Sequence, residues 1–155
     1  MPSPARILPL LAVLSAAVCG REPPAPPHPP LPAVQRLLYE ETGGSGDAKH
    51  WTVRDARQWE ALWNGLPDRA GRTMPVVDFS REMVVVVTAG RGSSGSPGLA
   101  FEGYQAHGDT TDVWVRRTWP CRSCGVADDV TNLLVAGRIP RRDGPVRIIR
   151  YDATE

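Results

Sequence analysis

The sequence is short of several things, and each shortage removes a class of function. Net charge is almost absent: 18 basic residues face 17 acidic ones, a formal +1. Residues 1–19 hold one charged side chain, Arg6; without it the balance is 17 basic (18 minus 1) against 17 acidic. A neutral domain has little long-range field with which to gather nucleic acid or an anionic membrane, so no nucleic-acid partner is expected. No apolar run approaches the roughly 20 residues that cross a bilayer. Lysine is nearly missing. Lys49 is the one example, so the glycine-rich stretch Gly90–Gly98 lacks the lysine of a phosphate-binding P-loop. Cysteine and histidine are scarce, at 3 residues each. Structural zinc takes four ligands. Beyond the N-terminal region only Cys121, Cys124, His50 and His107 are at hand, without finger spacing, so neither a metal nor a cofactor is expected. There is no internal repeat.

What is present suits one domain. The chain has 155 residues, 41% hydrophobic and 23% charged, enough apolar material for a core on an ordinary soluble surface. Its first 19 residues read as an export signal. Arg6 and the initiator amine supply positive charge. Ile7 to Val18 is non-polar apart from Ser15, and Ser15-Ala16-Ala17 offers small residues for cleavage. Cys19 then opens two routes. A cysteine at that place resembles the acylated residue of a lipoprotein, although Val18 stands where Gly, Ala or Ser is usual. The other route is ordinary cleavage nearby, after Ala17 or Gly20. Acylation of Cys19 would tether the protein to the membrane through a lipid anchor.

Residues 20–38 read as a tether. Pro23 to Pro32 is PPAPPHPPLP, which favours an extended polyproline II spacer of about 3.1 Å per residue. His28 within it is expected to be solvated.

Residues 39–155 read as one β-rich domain. Its clearest helix begins at Asp55, an N-cap with Gln58 three residues on. Trp59, Leu62, Trp63 and Leu66 share one face, and Gly65 and Pro67 end it. Met83 to Thr88 holds four consecutive valines, the pattern of a strand covered on both faces. Trp51–Arg54 is a short strand. Leu99–Ala106 and Thr111–Thr118 form a hairpin across His107-Gly108-Asp109. In the second of these, Val113 and Val115 share one face and Asp112, Trp114 and Arg116 the other. Asn132–Ile139 and Pro145–Tyr151 are expected to pair across Arg141–Gly144. The fold class is α+β: a small antiparallel sandwich or open barrel of about six strands with one packed amphipathic helix.

Two segments are candidates for chemistry. In Gly90–Gly98, Arg91 is the fixed charge, and with Ser93 and Ser94 it makes a candidate ligand-binding loop for a carboxylate. The serines do not match a nucleophile elbow. Cys121-Arg122-Ser123-Cys124 is the sharper feature. A redox dithiol wants its first cysteine at a helix N-terminus. Here Pro120 precedes, Gly125 follows and a strand comes next, which favours a loop-stapling disulfide in an oxidising compartment. Asp128-Asp129 reads as a loop or helix-start pair. No catalytic residue is assigned.

The middle of the chain carries a resemblance. Trp59-Glu60-Ala61-Leu62-Trp63, Pro75-Val76-Val77-Asp78-Phe79-Ser80-Arg81-Glu82-Met83-Val84-Val85-Val86 and Gly90-Arg91 resemble the C-terminal domain family of the PrcB protease-complex subunit. The likeness spans Thr52 to Tyr151 and is weaker in the last third. The family's loop usually continues to paired glycines and an aromatic residue; here it runs Ser94-Gly95-Ser96-Pro97-Gly98. The resemblance implies an exported, often lipid-anchored accessory protein, and a fold and location rather than a reaction. Asp78-Phe79-Ser80 would turn into the valine strand, Phe79 anchoring beneath the tryptophans and Asp78 capping local N–H groups. The expected function is a non-catalytic envelope protein that binds or stabilises a protein partner, such as a protease. The alternatives are a thiol-disulfide oxidoreductase using Cys121 and Cys124, or a module for a small ligand or cell-wall component at the Arg91 loop.

Overall fold

The computed structural model describes residues 28–43, 46–67, 69–90, 98–119 and 131–154. Its elements run β1 (Gln35–Gly43), β2 (His50–Val53), α1 (Ala56–Asn64), β3 (Glu82–Thr88), β4 (Gly98–His107), β5 (Thr110–Trp119), β6 (Thr131–Pro140) and β7 (Val146–Thr154). They form a four-stranded sheet, β1-β6-β3-β2, and a three-stranded sheet, β4-β5-β7.

The valine run explains the layering. Successive strand residues point to opposite faces, so consecutive valines need cover on both. Val84 and Val86 face α1, where they meet Trp59, Trp63, Leu66 and Val53. Met83, Val85 and Val87 face the second sheet, where they meet Leu99, Val113 and Val115. The order is therefore helix, four-stranded sheet, three-stranded sheet. Each of Met83 to Val87 is fully buried, and burying a side chain of this size is worth about 1.5–3 kcal/mol.

The helix forms where expected. The Asp55 side chain accepts the Gln58 N–H at 2.8 Å, and Gln58 reaches back to the Arg54 N–H at 3.3 Å. Trp59 and Trp63 are buried, and the Trp59 indole donates to the Pro75 carbonyl at 2.9 Å. Phe79 packs into the same cluster. Asp78 accepts the Ser80 N–H at 3.0 Å, closing the turn into β3. Its Ser80 bonds hold the Asp78 carboxyl below its ordinary pKa.

The α+β class and the small sandwich with one packed helix are borne out: the two sheets are open. The described residues hold seven strands, among them β1, which begins at Gln35, inside the stretch read as tether. One expected pairing needs correction: β6 and β7 do not pair. β6 lies between β1 and β3, while β7 runs parallel to β5 in the other sheet. Arginines direct this crossover. Arg141 donates to the carbonyls of Arg54 and Phe79 at 2.9 and 2.7 Å. Arg54 donates to the Gly144 carbonyl at 2.7 Å, and Arg142 to that of Gly108. The loop after β6 is thereby tied to the end of β2 and to the β4–β5 turn. The chain emerges at the second sheet, where the Thr111 N–H donates to the Pro145 carbonyl at 2.9 Å.

Loss of the cap and loss of a core anchor should separate cleanly in urea unfolding. Asp55→Ala is expected to cost about 1 kcal/mol, and Trp59→Ala about 3–5 kcal/mol.

Candidate functional site: the outer face of the three-stranded sheet

The face of β4-β5-β7 turned away from the core is built by alternation. Val113 and Val115 point inward, so Asp112, Trp114 and Arg116 point out. Their parallel partners are Arg147, Ile149 and Tyr151. On the other side, Gly103 lies opposite Trp114 and Gln105 opposite Asp112, with a register shift between Phe101 and Gly103.

An extended segment ahead of β1 lies across this face. The His28 ring is half-buried, 4.9 Å from the Trp114 ring and 6.2 Å from the Tyr151 ring. Leu31 and Pro32 sit over Gly103. A Cβ at Gly103 would come within 2.4 Å of Leu31 Cβ and 2.8 Å of the Pro32 carbonyl, so only glycine admits the crossing. The Tyr104 N–H donates to that carbonyl at 3.1 Å. Val34 then enters the core between the sheets, close to Gly137, where a Cβ would approach it to 2.5 Å. The solvated His28 of the sequence reading is thus corrected. Aromatic contact and a shape-matched glycine outweigh hydration of one imidazole.

The face has an aromatic middle and charged flanks. At one end Asp112, 3% exposed, receives both Arg147 Nε–H and Nη2–H, at 2.8 and 2.7 Å. His107 Nε2 lies 3.7 Å from the same carboxylate. The Arg147 bonds hold Asp112 below the ordinary carboxylate range, against the opposing effect of burial. Near Tyr151, Arg116 donates to Glu102 at 2.6 Å. Burial first, and then the Glu102 charge, raises the Tyr151 phenol above its usual value, Arg116 opposing. In the middle, Trp114 Nε1 and His28 Nε2 are shielded from solvent and have no hydrogen-bond partner among the described residues.

No protein family model, curated protein or solved structure matches this chain. The face must be read from its own chemistry.

Among the described residues, no three or more His, Cys, Asp and Glu side chains gather as a metal site would require. A cleft of about 630 Å³ is lined by Asp109, Arg141, Arg142, Asp143, Gly144 and Pro145. Arg141 and Arg142 are engaged there with backbone carbonyls, as the fold requires. Cys19, Arg91, Ser93, Ser94, Cys121, Cys124 and the Asp128-Asp129 pair lie outside the described residues. Sequence reading missed His28 and Tyr151 as members of a site. It had placed Asp112, Trp114 and Arg116 on one face. The same alternation in Arg147, Ile149 and Tyr151 was the signal that would have extended it.

The Asp112–Arg147 pair should appear in the acid limb of stability. The folded carboxyl titrates below the unfolded one, whose pKa is about 3.9. The pair's contribution is complete above that range and is lost as pH falls through the depressed folded value. Arg147 is largely exposed, which screens the pair and keeps its contribution modest. Urea unfolding from pH 7 down to pH 2 should show wild type losing more stability than Asp112→Asn.

Proposed function

We propose that this chain is a non-catalytic exported envelope protein whose β-rich domain binds or stabilises a protein partner, as an accessory subunit of a protease complex would. The observation that carries the reading is the outer face of β4-β5-β7. It has a half-buried aromatic centre of Trp114, Tyr151 and His28 between paired charges at Asp112–Arg147 and Glu102–Arg116. An apolar, aromatic middle inside a polar rim is the usual anatomy of a protein interface. The paired charges are also poor candidates for acid–base work, because each carboxylate already holds a guanidinium.

Two features of the sequence support the location and the role. The charged start, the twelve-residue apolar stretch and Cys19 support export with a lipid anchor or release. The resemblance of Trp59–Trp63 and Pro75–Val86 to the PrcB C-terminal domain family supports an accessory rather than a catalytic part. The expected Cys121–Cys124 disulfide belongs to the same oxidising compartment.

Native purification of the full-length chain from the envelope of cells that make it, followed by mass spectrometry, tests this reading. A protein should co-purify in fixed proportion and rebind the purified chain. Trp114→Ala should weaken that rebinding at least tenfold. Recovery of no partner, or of one whose rebinding ignores Trp114, would remove the reading.

A further inference from the structure

The inner face of the three-stranded sheet changes character along its length. Alternation on β5 and β7 points Val113, Val115 and Ile148 into the core. Further along, where both strands finish, the same alternation carries Arg117, Trp119, Arg150 and Asp152 onto that side. Arg150 lies opposite Val115 and Arg117 opposite Asp152, so the two arginines are diagonal neighbours. Both Asp152 oxygens are committed to Arg117, accepting Nε–H at 2.6 Å and Nη2–H at 3.0 Å. The Arg117 guanidinium also lies 4.9 Å from the centre of the Trp119 ring. Arg150 pairs with no carboxylate among the described residues. Its Nη2–H donates to the Lys49 carbonyl at 3.1 Å. That carbonyl is itself fixed: it accepts the Thr88 N–H at 2.9 Å, and the Lys49 N–H donates to Thr88 Oγ1 at 2.9 Å. Burial, and then the Arg117 charge, pull the Arg150 guanidinium below its ordinary pKa.

An inward-pointing charge can serve only to guard a sheet edge, and β7 is an edge. β5 is the middle strand of its sheet, so Arg117 guards none. Two guanidiniums that share one carboxylate leave a positive charge uncompensated in a partly desolvated place, and an anion there would offset it. A guanidinium presents five donors in a planar fork that fits a carboxylate or a phosphate. Arg150 is held by one nitrogen, and its other donors have no partner among the described residues. We propose that this end of the sandwich is an oxyanion-binding site, in which Arg150 grips a carboxylate or phosphate group beside Arg117 and Trp119. The Lys49 carbonyl acts as the positioning group for Arg150. The site is on the opposite side of the sheet from Trp114 and does not rest on the partner-binding reading.

The test uses the full-length chain, ¹⁵N-labelled, titrated with sodium phosphate or with sodium acetate at constant pH, with sodium chloride holding the ionic strength fixed. The Trp119 indole resonance, assigned by its loss in Trp119→Phe, and the Nε–H resonance lost in Arg150→Lys report on the site. At least one of the two anions should move both resonances along a saturating curve, with a Kd of about 10 mM or tighter. Saturation by phosphate alone assigns a phosphate ligand, by acetate alone a carboxylate, and by both a site open to either. Arg150→Gln should weaken that binding at least tenfold, whereas Arg57→Gln, on the exposed side of α1, should leave it unchanged. The saturating anion should also raise the melting temperature of wild type more than that of Arg150→Gln. Linear drift with both anions, shifts that chloride reproduces, or affinity that survives Arg150→Gln would overturn the assignment. If Arg150→Gln does not fold, Arg150→Lys carries the test. It keeps the charge and loses the planar fork, so weaker binding supports the site and equal binding overturns it.

Discussion

The structure depends on one strand being covered on both faces. Met83 to Val87 cannot be half-exposed without a large loss of apolar burial, so a layer is needed on each side. The two layers are made differently. On one side a single short helix suffices, because Trp59 and Trp63 bring large surfaces and Leu66, Met74, Val77 and Phe79 extend the patch. On the other side a complete second sheet is required, supplied by β4, β5 and β7. The crossover arginines follow from this. A chain leaving the central strand β6 must reach the second sheet, and Arg54, Arg141 and Arg142 hold it along that path through carbonyl contacts.

Two open sheets leave four edges, and each edge is blunted in its own way. β2 is only four residues long. β1 has a register shift between Arg36 and Leu38. β4 has one between Phe101 and Gly103, and its Tyr104 N–H is taken by Pro32. β7 carries Arg150 on the face of Val115, and that guanidinium reaches the Lys49 carbonyl at 3.1 Å. Bulges, shortness and inward-pointing charge are the devices by which sheets avoid adding strands from other chains. Strand addition from another chain is therefore disfavoured at each of these edges.

Much of the fold could be read from local pattern. Asp55 with Gln58, the 3–4 spacing of the tryptophans, the valine run and the turn at His107-Gly108-Asp109 each rest on short-range physics that tertiary context did not override. The failures came where partners were distant in sequence. Nothing in Thr131–Pro140 says that its neighbours are β1 and β3 rather than the next strand. The reason lies in arginine contacts between residues about 90 positions apart, such as Arg54 with Gly144. β1 was hidden because Leu37, Leu38 and Tyr39 give it little alternation and it follows directly on prolines. The candidate site was half legible. Asp112, Trp114 and Arg116 shared a face on sequence grounds. Their cover could not be foreseen, because a proline-rich run has no pattern that distinguishes a docked segment from a free one.

That last point changes what the proline run does. As a free spacer, Pro23–Pro32 would only set a distance between an export signal and a domain. With His28 against Trp114 and Tyr151, Pro32 bonded to Tyr104 and Val34 in the core, its distal part belongs to the domain. The stretch expected to be free spacer is therefore packed on the domain from His28 onward. The glycines at positions 103 and 137 make that close approach possible, since a Cβ at either would meet Leu31 or Val34.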